Sequence, residues 1–275
     1  MRKIFASLSK LQSLRRPWVM PCRETPCRWH ATLLRHGEAV FLACLLTSLR
    51  PGEPETEGLL ALMLLTQARR AARSAQGTLV PLEAQDRRLW DATMIGEGLD
   101  LLDRAMAHRA PGPFQSKAAI AALHVQAAPD GGTDWTQIAL LYDSLLRLEP
   151  TPVVRLNRAV ALAEAGALPA ALREIETLAG ALDGYAQFHA ARANLLSRLA
   201  RRSESDAAFD RAIALAPTSA DAAFLRARRS ARVNVQADAD LSAWTQNKAE
   251  QTLGPSPTGR YEDNGQTAPP PSGAR

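Results

Sequence analysis

A run of helical hairpins between Thr133 and Arg229 repeats itself every 34 residues. With Gly166 set against Ala200, Ala159 meets Ala193, Leu162 meets Leu196, Ile175 meets Phe209 and Leu178 meets Ala212. Every one of these positions is small or apolar, as buried positions between packed helices must be. Pro150 and Pro217, each ending a helix, lie 67 residues apart, one short of two periods. A unit of this size is one helix-turn-helix, which cannot bury its apolar face alone. Such units stack, and the stack presents a surface to other chains. The pattern therefore predicts an all-α fold, a helical hairpin array, and a binding role rather than a catalytic one.

The period is that of tetratricopeptide (TPR) repeats, so a TPR-like right-handed stack is expected. Composition agrees: aromatic residues make up only 5% of the chain, and Ala, Leu and Arg dominate, which favours helix over sheet. The longest apolar runs, Ala39 to Leu46 and Gly58 to Leu65, last about two helical turns and read as buried faces of soluble helices, with no membrane partner implied. The opening Met-Arg-Lys-Ile-Phe-Ala-Ser-Leu has no sustained apolar core before Arg15 and Arg16, so no signal peptide is read there. Three cysteines, Cys22, Cys27 and Cys44, cannot complete a disulfide framework, which fits a cytoplasmic location.

The net charge of +5 is unevenly placed. Residues 1–36 hold eight Lys/Arg and one Glu, whereas the remainder holds 25 Lys/Arg and 27 Asp/Glu. The helical body is near neutral and carries no electrostatic signature of nucleic-acid binding; only the first segment does.

Residues 1–36 show no clear periodicity and are punctuated by Pro17, Pro21 and Pro26. A helix is predicted from Gly37 to Leu49, stopped by Pro51-Gly52. A second follows from Glu57 to Ser74, with Leu59, Leu62, Met63 and Leu65 inward and Arg69, Arg70 and Arg73 at its basic end. Gly77 to Pro81 reads as a connector with a short extended piece. Gln85 to His108 reads as one long helix, with Trp90, Met94, Ile95, Leu99, Leu102 and Met106 on one stripe. Gly96 and Gly98 within it are expected to permit close helix contact. Beyond Pro111-Gly112-Pro113 comes a helix from Gln115 to Ala127, then a turn at Asp130-Gly131-Gly132 and Thr133 as the next N-cap. The apolar face of that helix is Trp135, Ile138, Leu141, Tyr142, Leu145 and Leu148. Two hairpins follow, Val153–Ala165 with Leu168–Ala179 and Tyr185–Leu199 with Glu204–Leu215, then a capping helix from Ala220 to Arg232. From Val233 the chain turns polar and Pro-rich, a disordered tail by composition. The divisions are thus 1–36, 37–127, 128–232 and 233–275.

Few residues invite a chemical reading. Cys22, Cys27, His30 and His36 are four ligand types within fifteen residues, but their spacing fits no common zinc finger, and no metal or other cofactor is expected. Gly96-Glu97-Gly98 lies inside a helix with no strand before it, so the phosphate-cradling context is missing. His124 and His189 sit on packing faces with no nucleophile in a recognisable pattern nearby. The acidic pairs Asp86/Asp91 and Asp100/Asp103 read as helical surface charges. Asn157, Arg158, Asn194 and Arg198 lie on the first helices of the two hairpins, which line the groove in TPR stacks. They are the candidate protein-binding residues, and the bland alternative is a solvated helix surface.

Several blocks carry a resemblance to a known family. Glu57-Gly58-Leu59-Leu60-Ala61-Leu62-Met63-Leu64-Leu65 with Ala68-Arg69-Arg70 comes first, then Leu82 to Asp91, then Gly112-Pro113-Phe114-Gln115 with Ala118 to His124. Thr133-Asp134-Trp135, Ile138 to Asp143, Pro152 to Ala161 and His189 to Ala193 follow in order. The stretch Gly58 to Leu225 resembles the C-terminal region of bacterial extracytoplasmic-function RNA polymerase sigma factors with a TPR-like extension, the DUF6596-containing group. The resemblance implies a non-enzymatic region of a transcription-initiation protein. Its members bind core RNA polymerase with one N-terminal module and promoter DNA with a second, and the helical extension governs activity or partner contact. The partners implied are the polymerase core, the sigma modules of an intact homologue and a protein in the TPR-like groove. Promoter DNA is expected to be a partner only of an intact protein, because about 57 residues precede the Gly58 block and show no recognition-helix pattern. The aromatic Asn-Glu-Gly motif of the family is also missing upstream. Residues 1–36 are accordingly expected to reflect a misplaced start or shifted reading frame. A free-standing TPR adaptor and a nucleic-acid binder using the basic segment are the rival readings.

Overall fold

The computed structural model describes residues 38–75, 78–127 and 132–231. Among them helices α1 (Glu38–Leu49), α2 (Pro54–Gln67), α3 (Ala92–Ala107), α4 (Pro113–Gln126) and α5 (Trp135–Leu148) come first. Next are α6 (Pro152–Glu164), α7 (Leu168–Glu176), the single turn α8 (Ala179–Leu182), α9 (Ala186–Arg198) and α10 (Arg202–Ala214). A last helix, α11, occupies residues 219–231. The fold is all-α, an array of helices in which sequence neighbours pack on one another. Apart from the helices there is a hairpin of two-residue strands, β1 (Ser74–Ala75) and β2 (Thr78–Leu79), paired Ser74 to Leu79 and Ala75 to Thr78. It provides the extended piece expected between Gly77 and Pro81.

The 34-residue register is visible as hydrogen bonding. At the end of α6, Gly166 N–H donates to Ala163 O (3.1 Å) and Ala167 N–H to Leu162 O (2.9 Å). At the end of α9, Ala200 N–H donates to Ser197 O (3.0 Å) and Arg201 N–H to Leu196 O (2.9 Å). These are two copies of the Schellman closure, in which the residue after the C-cap takes left-handed backbone angles. Gly166 and Ala200 do so, with φ of +95° and +58°. Ala159, Ala193, Ile175, Phe209, Leu178 and Ala212 are all buried, as the register requires.

α2 is the hub of the first half, packing on α1, α3 and α4. Its buried residues are Leu60, Ala61, Leu64 and Leu65 with Glu57 and Gly58, whereas Leu59, Leu62 and Met63 are only half-buried. The sequence placed the inner face one position away, because a helix apolar on most sides has no single stripe to read. α2 also begins three residues earlier than expected, at Pro54, whose missing N–H costs nothing in the first turn. It ends at Gln67, before the three arginines; Arg70 lies in a short 3-10 turn. Gly98 of α3 fits the expectation of close contact, since a Cβ there would lie 2.9 Å from Leu65 Cγ. Gly96 does not, for a Cβ there meets nothing within 4 Å.

The long helix expected from Gln85 is broken. Asp86 caps a 3-10 turn (Arg87–Leu89) by accepting from Arg88 N–H (3.0 Å), and Asp91 starts α3 by accepting from Met94 N–H (3.0 Å). The two aspartates read as surface charges are therefore helix caps. The N-cap of α5 is Asp134, accepting from Gln137 N–H (2.8 Å), rather than Thr133. Leu148, expected inward, is exposed where α5 ends.

One long-range contact ties α2 to the start of α4. The N-terminus of α4 has no capping side chain of its own. Glu55 supplies one from α2: Phe114 N–H donates to Oε2 (3.0 Å), and Gln115 N–H and Nε2 donate to Oε1 (3.2 and 3.1 Å). The carboxylate satisfies orphan amides and meets the positive end of the helix dipole. Gly112 makes room for the carboxylate in this position, because a Cβ on it would lie 2.0 Å from Glu55 Cδ and would push the cap aside. Gly58 admits the same junction, its missing Cβ lying 2.8 Å from Gln115 N.

Two outcomes follow. Ala200→Gly relieves left-handed strain and should raise stability by about 1 kcal/mol, while Gly166→Ala should lower it by a similar amount. Urea midpoints at unchanged slope measure both. Glu55→Ala should cost about 1–3 kcal/mol. Gly112→Ala should cost as much alone but far less in the Glu55→Ala background, because both remove one interaction; additive losses in the double-mutant cycle would contradict the shared origin.

Candidate interaction surface

The hairpins present a row of arginines that bridge one helix to the next. α6 starts at Thr151, whose Oγ1 accepts from Val154 N–H (3.3 Å), with Pro152 at its first position. That start turns Leu156, Ala159 and Ala163 into the core and leaves Arg155 and Arg158 at its edge. Arg158 Nε donates to Asp143 Oδ1 of α5 (2.5 Å) and Nη1 to Glu174 Oε2 of α7 (2.5 Å). Arg155 joins the same carboxylate at 3.7 Å and donates to Thr177 Oγ1 (3.0 Å). One repeat later, Arg192 of α9 donates to Glu176 of α7 (2.9 Å). Arg198 crosses from α9 to α6, donating to Glu164 Oε1 (2.7 Å) and Ala163 O (3.2 Å).

Partial burial disfavours the charge on Arg158, but the hydrogen bonds and charges of Asp143 and Glu174 outweigh it and hold the guanidinium above its usual value. Exposed ion pairs contribute about 0–1 kcal/mol each, so the row specifies how helices abut more than it stabilises them. A side chain already spanning two or three helices is not free to grip a partner. Of the four groove residues read from the sequence, Arg158 and Arg198 are engaged internally in this way. Asn157 is exposed and Asn194 half-buried, and Val153 stands exposed one turn before Asn157 on α6. The structure does not gather the four into one cluster of contacts; Arg158 and Arg198 join different pairs of helices. Arg192 was missed, although it lies one 34-residue period after Arg158 and makes the matching bridge.

The two histidines are packed between helices. His189 is buried, with Nε2 2.7 Å from Asp183 O and its ring edge-on to Phe188. His124, near the end of α4, lies edge-on to Trp135 of α5, with ring centroids 5.3 Å apart. Nδ1 of His124 has no hydrogen-bond partner. Burial, and then the charge of Arg69, push its pKa down to about 4. Near it, Arg87 lies over the Trp90 ring at 4.7 Å and donates to Ala127 O. Cys22, Cys27, His30 and His36 lie outside the described residues, as do the basic segment and the tail. No helix among the described residues is long and apolar enough to cross a membrane.

Residues 28–106 match the family of unknown function DUF6596. The match covers α1 to α3 and stops before α4. An uncharacterized protein of Rhizobium meliloti (strain 1021) is 52% identical over 190 residues, which are 69% of this chain and 45% of the relative. The chain thus spans less than half the length of that relative. No solved structure matches the chain.

His124 makes stability depend on acid. Its folded value lies below that of the unfolded chain, so as pH falls from 6.5 towards 4 the unfolded state takes up a proton that the folded state refuses. Its contribution is intact above that window and falls by about 3 kcal/mol across it. Unfolding midpoints at pH 7.5 and 5 should separate more for the parent than for His124→Phe; equal slopes would refute a buried neutral imidazole.

Proposed function

We propose that this chain is the C-terminal, TPR-like regulatory and interaction region of an extracytoplasmic-function type RNA polymerase sigma factor, acting in transcription initiation within an intact protein. The observation that carries the reading is the meeting of the blocks on which the resemblance rests. Gly58 lies against Gln115, Asp91 N–H donates to Ala68 O (2.9 Å), and Asp134 caps the helix that bears Trp135 and Ile138. Residues from separate blocks of the resemblance are here parts of one packed unit. The DUF6596 match over the first three helices supports the same reading. So does a relative more than twice as long as its matched part, as a region built into a larger protein would have. The region itself holds contacts, not chemistry.

A free-standing TPR-type adaptor is the second reading. The exposed pair Val153 and Asn157 on α6 favours it, offering an apolar and a polar group side by side to a peptide.

A pull-down of bacterial core RNA polymerase on the immobilised chain, with and without residues 1–36, tests the proposal. Core retained by both forms is the expected result. Retention by the full chain alone, lost in high salt, would place binding in the basic segment. Failure of both, with other proteins captured through Asn157→Ala-sensitive contacts, would favour the adaptor.

A further inference from the structure

Three buried nitrogens make no hydrogen bond where the ends of α2 and α4 meet the turn that leads into α3. They are Arg69 Nε, the indole Nε1 of Trp90 and His124 Nδ1. Trp90 itself is only 9% exposed. The contacts around these residues close a circuit. Asp91 N–H donates to Ala68 O (2.9 Å), which sets the backbone of Trp90 and Asp91 beside Arg69. Arg87 lies over the Trp90 ring at 4.7 Å and donates to Ala127 O at the end of α4. His124 stands one turn before Ala127 and feels the charge of Arg69. Its ring meets Trp135 edge-on, so one wall of this corner is aromatic.

The charge here is of one sign. No carboxylate among the described residues offsets Arg69; burial and the like charge of Arg73 both act against its guanidinium. The acids that flank Trp90 are engaged elsewhere, since Asp86 pairs with Arg88 and Asp91 accepts from Met94 N–H. Arg87 has the carbonyl end of α4 to meet, but Arg69 Nε has no acceptor.

Buried donors are matched as a rule, and a charge withdrawn from water is costly unless its opposite lies nearby. Water would answer the N–H groups but not the charge, and it brings two protons that need acceptors of their own. An oxyanion answers both demands. It offers several lone pairs and no protons, and its hydrogen bonds to a guanidinium are charge-assisted. The indole N–H can only donate, and a neutral imidazole donates from Nδ1 when its proton sits there. Because the three nitrogens are buried by packing, the ion they fit is small.

We propose that Arg69, Trp90 and His124 form a binding site for a small oxyanion, a carboxylate or a phosphate, with Arg69 as the counter-ion and the other two as oriented donors. The block Ala68-Arg69-Arg70, the turn before α3 and the end of α4 then meet around a ligand as well as a core.

The test is an NMR titration of the full chain at pH 7.5, following the Trp90 indole N–H, which is identified by its loss in Trp90→Phe. Sodium phosphate, sodium acetate and sodium chloride are added at matched ionic strength. Phosphate or acetate should move the resonance to saturation, and chloride should not. Saturation by phosphate alone would assign a tetrahedral ligand, and by acetate alone a carboxylate. Arg69→Gln should weaken the apparent affinity about tenfold or more, with Arg69→Lys, which keeps the charge, falling between it and the parent. Arg147→Gln, at the exposed end of α5, should change nothing. Far-UV circular dichroism checks that each variant is folded, and Arg69→Lys carries the comparison if Arg69→Gln is not. No saturable shift with either oxyanion would overturn the proposal, as would a shift that both Arg69 variants leave intact.

Discussion

The first half of the molecule depends on a helix with too many apolar sides. α2 runs Pro-Glu-Thr-Glu-Gly-Leu-Leu-Ala-Leu-Met-Leu-Leu-Thr-Gln, and no orientation on a two-layer structure would bury so much of it. It therefore takes three neighbours, α1, α3 and α4, and each approach is enabled by a specific residue. Gly98 lets α3 come against Leu65 and Ala61, and Gly58 lets the start of α4 come against α2. Once α4 lies there, its N-terminal amides have no capping side chain of their own. Glu55 meets them, and Gly112 makes room for it. The sequence thus couples an apolar demand to a polar one: the helix that packs on α2 is capped by the carboxylate of α2's own first turn.

The second half is built differently. There the repeated spacing of turns sets the register. The paired Schellman closures after α6 and α9 give the chain the same reversal twice, so that Leu196 and Phe209 occupy the places of Leu162 and Ile175. An alanine in the second closure, where the first has glycine, shows that the reversal is imposed by packing and not by the local preference of residue 200. Arginines at the helix edges then set how one helix abuts the next. Arg158 and Arg192 lie one period apart and reach back to corresponding partners, Asp143 on α5 and Glu176 on α7.

What was legible in the sequence follows this difference. The 34-residue register, the turns at Gly52 and Gly166, and the helices from α4 onward other than α8 could be read because apolar period and breaker residues agreed there. The helix expected over Leu168–Ala179 ends at Glu176, and the separate turn α8 follows it. The inner face of α2 could not, since period carries no information when nearly every position is apolar. The break before α3 was hidden because Arg87, Arg88 and Trp90 suit a helix, and only the capping of Met94 by Asp91 decides the start. Glu55 as the cap of α4 lay beyond local reading, 59 residues from Phe114. The groove residues were chosen by helix and polarity. Two of them, Arg158 and Arg198, bridge helices instead: Arg158 meets carboxylates 15 and 16 residues away, which no periodic count singles out, whereas Glu164, which Arg198 meets, lies one 34-residue period before it.

The two halves are joined at α6. Ala161 belongs to the core that contains α2, α4 and Ile138 of α5, while Leu156, Ala159 and Ala163 belong to the core of the hairpins, and Leu162 packs against both. α5, grouped with the hairpins by sequence, shares the first core. A helix that serves two cores cannot shift for one without disturbing the other. Arg158 adds to this, since it holds α6 to α5 on one side and α7 on the other. In a simple repeat array, stability is a sum over neighbouring units, and an end can fray alone. Here the junction lies inside a helix rather than in a loop, so no loop between units offers a place for the halves to part.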